Sequence, residues 1–166
     1  GRLFNVIMDV NPDSGTGFRM QTAPGLICSS TDWFLCKTGI IGCETTITNL
    51  NYAPDFVGGV PYFLRVRKAM QYANTLDDFV STMTNASAGD YACTWLLGDT
   101  RTGEIMMFDN GLKHHGIKRT QNGVFHASNE ADSSSRAHRG PPLLQLKIVA
   151  TLVPRLRAAA TARRCR

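Results

Sequence analysis

MQTAPGLICSSTDWFLCKTGIIGCETTI, residues 20–47, is the stretch whose reading decides the fold. It is short of charge and holds three of the five cysteines, Cys28, Cys36 and Cys43. Leu26–Ser29, Trp33–Lys37 and Ile40–Ile47 each read as a short strand, and Thr38-Gly39 suits a tight hairpin turn between the last two. Strands that stack closely beside a reactive cleft read this way. So does an ordinary buried sheet, and the pattern alone does not separate the two.

Working outward, Leu3–Val10 alternates with apolar residues on both faces, the pattern of a strand buried on two sides. NPDSGTG, residues 11–17, is a turn by composition, and Phe18–Thr22 returns antiparallel until Ala23-Pro24-Gly25 breaks the run. After a loop over residues 48–60, Pro61 fits the first turn of a helix, where its missing N–H costs nothing. Phe63, Val66, Met70 and Ala73 form that helix's apolar stripe, with Arg65, Arg67 and Lys68 on a solvated face. Thr75 begins a second helix through a capping box with Asp78, and Leu76, Phe79, Val80 and Met83 form its buried face. Asn85-Ala86-Ser87 is a formal glycosylation acceptor in a loop. Tyr91–Gly98 is a strand with Tyr91, Cys93, Trp95 and Leu97 on one side. Residues 99–103 turn the chain back into Glu104–Phe108, and Gly111–Lys118 and Gly123–Ser128 continue the meander. His114 and His115 are adjacent and, in a strand, point to opposite faces, so neither is expected in a shared site.

Composition limits the function classes. A chain of 166 residues with 43% hydrophobic residues fits one globular domain. No apolar run is long enough for a membrane-spanning helix, and GRLFNVIMDV lacks a signal-peptide layout. The chain starts at Gly1 without Met and reads as cut from something longer. The net charge of +5 is an average of two unlike parts. Residues 133–166 carry eight Lys and Arg and no acid; the rest carries ten basic and thirteen acidic groups. A mildly acidic body with a basic tail makes nucleic acid a disfavoured partner of the whole, and the tail's charge run is compatible with peripheral lipid contact. Within the tail, Leu144, Ile148 and Leu152 are spaced for a short amphipathic helix, but the Ala/Arg composition favours a poorly ordered end.

The five cysteines fit no zinc spacing, and their odd number argues against a fixed disulfide framework. They are read as buried, apolar-like side chains. No metal and no cofactor is expected: there is no Gly-rich phosphate loop, no G-x-S-x-G elbow and no H-E-x-x-H helix. Strands, two helices and further strands make the fold class α+β, helices packed on antiparallel sheet.

The ordered series TAPGLICSSTDWFL, TGIIGCETTI, PYFLRVRKAMQYANTLDDFV, AGDYACTWLLGDTRTGEI and GLKHHGI resembles the phospholipase B-like proteins and the related C45 acyltransferases and hydrolases. The resemblance covers roughly residues 1–130. It implies part of an α-β-β-α N-terminal nucleophile hydrolase sandwich, with residues 131–166 as a divergent basic tail. In such proteins a precursor cleaves itself, and the freed N-terminal Cys uses its own α-amino group, which titrates near neutrality, as base. Its thiol attacks an amide or ester carbonyl of an acyl substrate to give a thioester acyl-enzyme. The resemblance therefore implies a fragment of such a hydrolase, with the nucleophile upstream in a missing N-terminal part of the same precursor, inactive alone. A secreted or lysosome-like compartment is implied by the same resemblance.

The carry-over gives Thr45, Thr46, Cys93 and Asn129 as catalytic positions and Ser29, Asp32, Glu44 and Trp95 as substrate-binding ones. Thr45 or Thr46 would contact substrate through the hydroxyl, and Asp32 and Glu44 would orient a loop or hold the nucleophile's amine. Cys93 stands where relatives often carry an Asn that helps bind the oxyanion, and a thiol is a poor substitute donor. The rival reading is a catalytically inactive interaction module whose basic tail binds anionic lipid or nucleic acid.

Overall fold

A computed structural model describes residues 4–29, 33–48 and 59–129, and the backbone of 148–149. The element order is β1 (Val6–Val10), β2 (Phe18–Thr22), β3 (Trp33–Cys36), β4 (Ile40–Thr46), α1 (Tyr62–Tyr72), α2 (Leu76–Thr84), β5 (Cys93–Asp99), β6 (Glu104–Asn110), β7 (His115–Thr120), β8 (His126–Ala127) and β9 (Ile148–Val149). β1 to β7 form one antiparallel sheet whose spatial order is the order of the sequence. Both helices pack on one face of it, an α+β arrangement.

The two faces follow from register. Glu44 lies opposite Trp95 and Trp95 opposite Phe108, while Thr45 lies opposite Thr94 and Thr94 opposite Asp109. Successive strand residues point to opposite sides. Met20, Phe34, Cys36, Ile40, Cys93, Trp95, Leu97, Met106 and Phe108 therefore meet the helices, and all are buried with Val66, Met70, Leu76, Phe79 and Met83. At the centre Phe34 stacks on Phe79 at 5.6 Å, and Trp95 meets Phe34 at 5.6 Å and Phe79 edge-on at 5.4 Å. The other face buries a smaller cluster of Leu96, Met107 and Ala127.

The two glycines of the GIIG run have separate structural tasks. Gly39 adopts φ +95° to close the β3–β4 turn, its N–H donating to Cys36 O at 2.9 Å. Gly42 sits between Phe34 and Leu97 in register, and a Cβ there would lie 2.6 Å from Phe34 Cζ and 2.8 Å from Leu97 Cδ2. Phe34 cannot yield, because Phe79 and Trp95 hold its ring. Gly42→Ala is expected to destabilise by about 1–3 kcal/mol through overpacking. Urea unfolding checks this, and a midpoint equal to that of the parent chain would contradict it.

Several expectations need correction. β1 is not buried on both faces: it is the sheet's edge, with Val6 38% and Ile7 57% exposed. Leu26–Ser29 is not a strand. Its carbonyls are taken by side chains instead, Cys28 O by Thr22 Oγ1 at 2.8 Å and Ile27 O by Arg67 at 3.2 Å. Pro61 stands one residue before α1 as its N-cap. Phe63 is exposed and Ala69 takes its place on the buried face, while Arg65 is buried rather than solvated. α2 matches its reading throughout: Thr75 and Asp78 close the capping box and the four expected residues are buried. β8 leaves the main sheet and pairs with β9, so Ile148–Val149 is extended rather than helical. Most of the loop at 48–60 and the rest of the tail lie outside the described residues.

Candidate functional site

Motif residues gather where β4 ends and β5 begins. Thr46, Cys93, Asn110 and His115 are successive register partners across β4, β5, β6 and β7, so all four belong to the helical face. Cys93 is buried, and its Sγ lies 3.3 Å from Tyr62 Oη on the first turn of α1. The Tyr62 and Tyr91 rings meet at 4.4 Å. Tyr91 Oη donates to Glu44 Oε1 at 3.1 Å and also bonds the Thr46 hydroxyl. The segment after α2 positions these tyrosines, since Asp90 accepts the Tyr62 backbone N–H at 2.7 Å.

Both phenols stay protonated at neutral pH. Burial, then the nearby Cys93 and Glu44, push Tyr62 well above the ordinary tyrosine value. Burial raises Tyr91 too, against the pull of its bond to Thr46, and Glu44 and Cys93 add to the rise. The helical side of the site thus offers neutral hydroxyl groups beside one carboxyl and one thiol. Such groups bind and orient a polar group, and neutral hydroxyls can donate to a developing oxyanion.

The Glu44-Thr45-Thr46 run is divided by the pleat. Glu44 and Thr46 face the helices, whereas Thr45 faces the other side with Thr94 and Asp109. There Thr94 Oγ1 donates to Asp109 Oδ1 at 2.6 Å, and Thr45 Oγ1 donates to Asn129 Oδ1 at 2.5 Å. Asn129 is anchored through its carbonyl, which accepts Thr48 N at 3.1 Å and Thr48 Oγ1 at 2.8 Å. Of the eight expected site residues, Glu44, Thr46 and Cys93 come together on one face, and Thr45 and Asn129 come together on the other.

Of the other three, Ser29 and Trp95 are described. Ser29 bridges β2 to β3, donating to Gln21 O at 2.9 Å and accepting Trp33 N at 3.0 Å. Trp95 is 1% exposed within the aromatic core. Asp32 lies outside the described residues. Cys28 and Cys36 are buried as expected and Cys43 is half-buried. Burial pushes the Cys36 thiol up to about 12, so it remains an unreactive thiol that donates to Met70 O at 3.2 Å. His114 and His115 are both exposed and outside the cluster. Among the described residues no three His, Cys, Asp or Glu side chains are grouped to hold a metal ion.

Sequence reasoning missed Tyr62 and Asn110. Tyr62 could not be found locally, because the helix brings it to a strand thirty-one positions later. Asn110 did leave a signal: it continues the alternation Met106, Phe108, Asn110 and places an amide on an otherwise apolar face.

No known family's sequence profile matches the chain, and no curated protein matches it in sequence. Solved structures do match in shape. The penicillin V acylase from Agrobacterium tumefaciens is similar at 14% identity and TM-score 0.47, over 70% of this chain and 38% of its own. A variant of the conjugated bile acid hydrolase from Clostridium perfringens is similar at 7% identity and TM-score 0.47, over 70% of this chain and 43% of its own. The chain therefore spans less than half the length of either protein.

Proposed function

We propose that the chain is part of a phospholipase B-like N-terminal nucleophile hydrolase, one layer pair of its α-β-β-α sandwich, acting on amide or ester bonds of acyl substrates. The nucleophile is an upstream Cys of the same precursor. The observation that carries this reading is the convergence of the CETT and DYAC motifs. Glu44, Thr46, Tyr91 and Cys93, distant in sequence, meet with Tyr62 at one end of the sheet. The ordered motif series supports the same reading independently of that geometry.

In this assignment the protonated Tyr62 and Tyr91 and the Thr46 hydroxyl orient the acyl group, and Glu44 fixes Tyr91. Thr45 and Asn129 line the opposite face of the same sheet end, towards the rest of the precursor, and Asp32 is kept as a substrate-binding position on the motif series alone. The 166-residue chain alone is expected to hydrolyse neither acyl amides nor acyl esters. Joined to its upstream portion it should turn over, and Thr46→Val should lower kcat/KM about 10²-fold. Turnover by the isolated chain that survives both Thr45→Ala and Asp32→Ala would sink the assignment.

A further inference from the structure

A cavity of about 480 Å³ opens over β1, β2 and β3, at the strand ends away from Thr46 and Cys93. Register explains its lining. Asp9 pairs with Arg19 and Arg19 with Leu35, so these side chains share the face turned from the helices. Just past the strand ends Asn11, Gly17 and Lys37 continue that face, with Lys37 N donating to Gly17 O at 2.9 Å. Lys37 crosses over Gly17, where a Cβ would come within 3.0 Å of its Cε, and its Nζ donates to Asn11 Oδ1 at 2.7 Å. The charges are unevenly matched. Both Asp9 oxygens accept from Arg19, at 2.6 and 2.7 Å, so that carboxylate is already spent. Lys37 bonds only the neutral amide oxygen of Asn11 among the described residues. Its charge still reaches Asp9, whose carboxyl is held below the usual range chiefly by the bond to Arg19 and further by Lys37. With two cations and one carboxylate the groove is net positive, and both Arg19 and Lys37 keep N–H donors to spare. Leu35, 45% exposed, adds an apolar surface beside Arg19.

We propose that this groove binds a phosphate monoester, its phosphoryl oxygens held between Lys37 and the free edge of the Arg19 guanidinium and its carbon body laid on Leu35. The occupant is an anion, because the lining combines excess positive charge with unspent donors. Arg19 and Lys37 are diagonal neighbours on β2 and β3, close enough for two long side chains to reach one group. A phosphoryl group presents several charged oxygens, so it accepts from a guanidinium edge and from a point-like ammonium together. The ligand also has a carbon body, because clefts of roughly 300–1,000 Å³ take organic molecules and a bare ion would leave this one largely empty. A soluble monoester and a lipid headgroup present the same chemistry here, and the test separates them. The groove stands at the opposite strand ends from Thr46 and Cys93 and does not rest on the hydrolase reading.

The test is a titration of the ¹⁵N-labelled 166-residue chain with phenyl phosphate, followed by NMR. The backbone amides of Gly17 and Lys37 and the Arg19 Nε–H should shift saturably, and phenol, which keeps the ring without the charge, should move none of them. Inorganic phosphate should bind at least tenfold more weakly than phenyl phosphate. Lys37→Met, which keeps most of the stem and drops the charge, should weaken phenyl phosphate at least tenfold at an unchanged unfolding temperature. Leu35→Ser, which leaves every charge in place, should bring phenyl phosphate down to the affinity of inorganic phosphate, and it decides alone if Lys37→Met does not fold. Vesicles of phosphatidylcholine containing phosphatidic acid separate the two sources. Sedimentation with them that Lys37→Met abolishes identifies a lipid headgroup, and phenyl phosphate binding without sedimentation identifies a soluble monoester. Phenyl phosphate that moves none of these signals overturns the proposal. So does equal affinity for inorganic phosphate, the mark of an adventitious ion only, and so does a Lys37→Met chain that binds phenyl phosphate as tightly as the parent.

Discussion

Arg65→Ala is expected to lose about 3–5 kcal/mol of folding stability, the range for breaking a buried charged network from one side. The guanidinium is 2% exposed and spends its donors on three different segments. Its Nε donates to Val60 O at 2.9 Å, Nη1 donates to Met83 O, and Nη2 reaches Asp90 Oδ1 at 3.1 Å. The other Asp90 oxygen accepts the N–H of Tyr62 at the start of α1. One side chain thus joins the entrance of α1, the end of α2 and the segment leading into β5. Removing it strands the carbonyl of the fully buried Met83 and takes the donor from the Val60 carbonyl and the part-exposed Asp90 carboxylate. Arg65→Lys should recover only part, because a single ammonium cannot span three acceptors as the planar fork does. The exposed Lys68 on the same helix is the control, and Lys68→Ala should stay within about 0.5 kcal/mol of the parent. Urea unfolding of the three variants decides the matter. An Arg65→Ala loss below about 1 kcal/mol would mean that the carbonyls find other donors.

Phe79→Ala is expected to cost a similar ~3–5 kcal/mol, by a different mechanism. The ring is fully buried and lies between Phe34 of β3 and Trp95 of β5. Its removal opens a cavity that α2 cannot close, because the capping box fixes the helix at its start and Leu76, Val80 and Met83 fix its face. Each lost ring contact adds roughly 0.5–1.5 kcal/mol beyond area burial. Phe79→Leu should lose much less, under about 1.5 kcal/mol if the site repacks. Calorimetry measures the loss, and the near-ultraviolet circular dichroism of Trp95 reports on the ring's environment. A Phe79→Ala protein with the parent's unfolding temperature would show that α2 does not depend on this contact.

How much of this was legible depended on distance along the chain. The α2 cap and buried face were readable because a capping box and a helical stripe are both contained within nine residues. β2 to β6 were readable because alternation and turn residues are local as well. Arg65 was not, since its partners at Val60, Met83 and Asp90 become neighbours only when two helices and a loop are assembled. β1 misled because alternation reports which residues are apolar and not whether anything covers them. Gly123–Ser128 misled for the same reason: a strand-like pattern does not name its partner, and β8 pairs outside the main sheet. The site was half legible. The motifs placed Glu44, Thr46 and Cys93 together, while the run Glu44-Thr45-Thr46 carried in its own period of two the fact that Thr45 had to face away.

The strict sequential order of the seven strands also shapes how the molecule assembles. Every pair of neighbouring strands except β4 and β5 is joined by ten or fewer residues, so β1–β4 and β5–β7 can each form from contacts between chain neighbours. The exception is β4–β5, whose closure must bring Thr46 to Cys93 across the whole helical segment. Closing so long a loop is the slow entropic step, yet its cost grows by only ~0.6 kcal/mol for each doubling of length. The candidate site is built on this seam. Its residues on β4 and β5 become neighbours only when that junction closes, and the connecting segment can be lengthened at small thermodynamic cost.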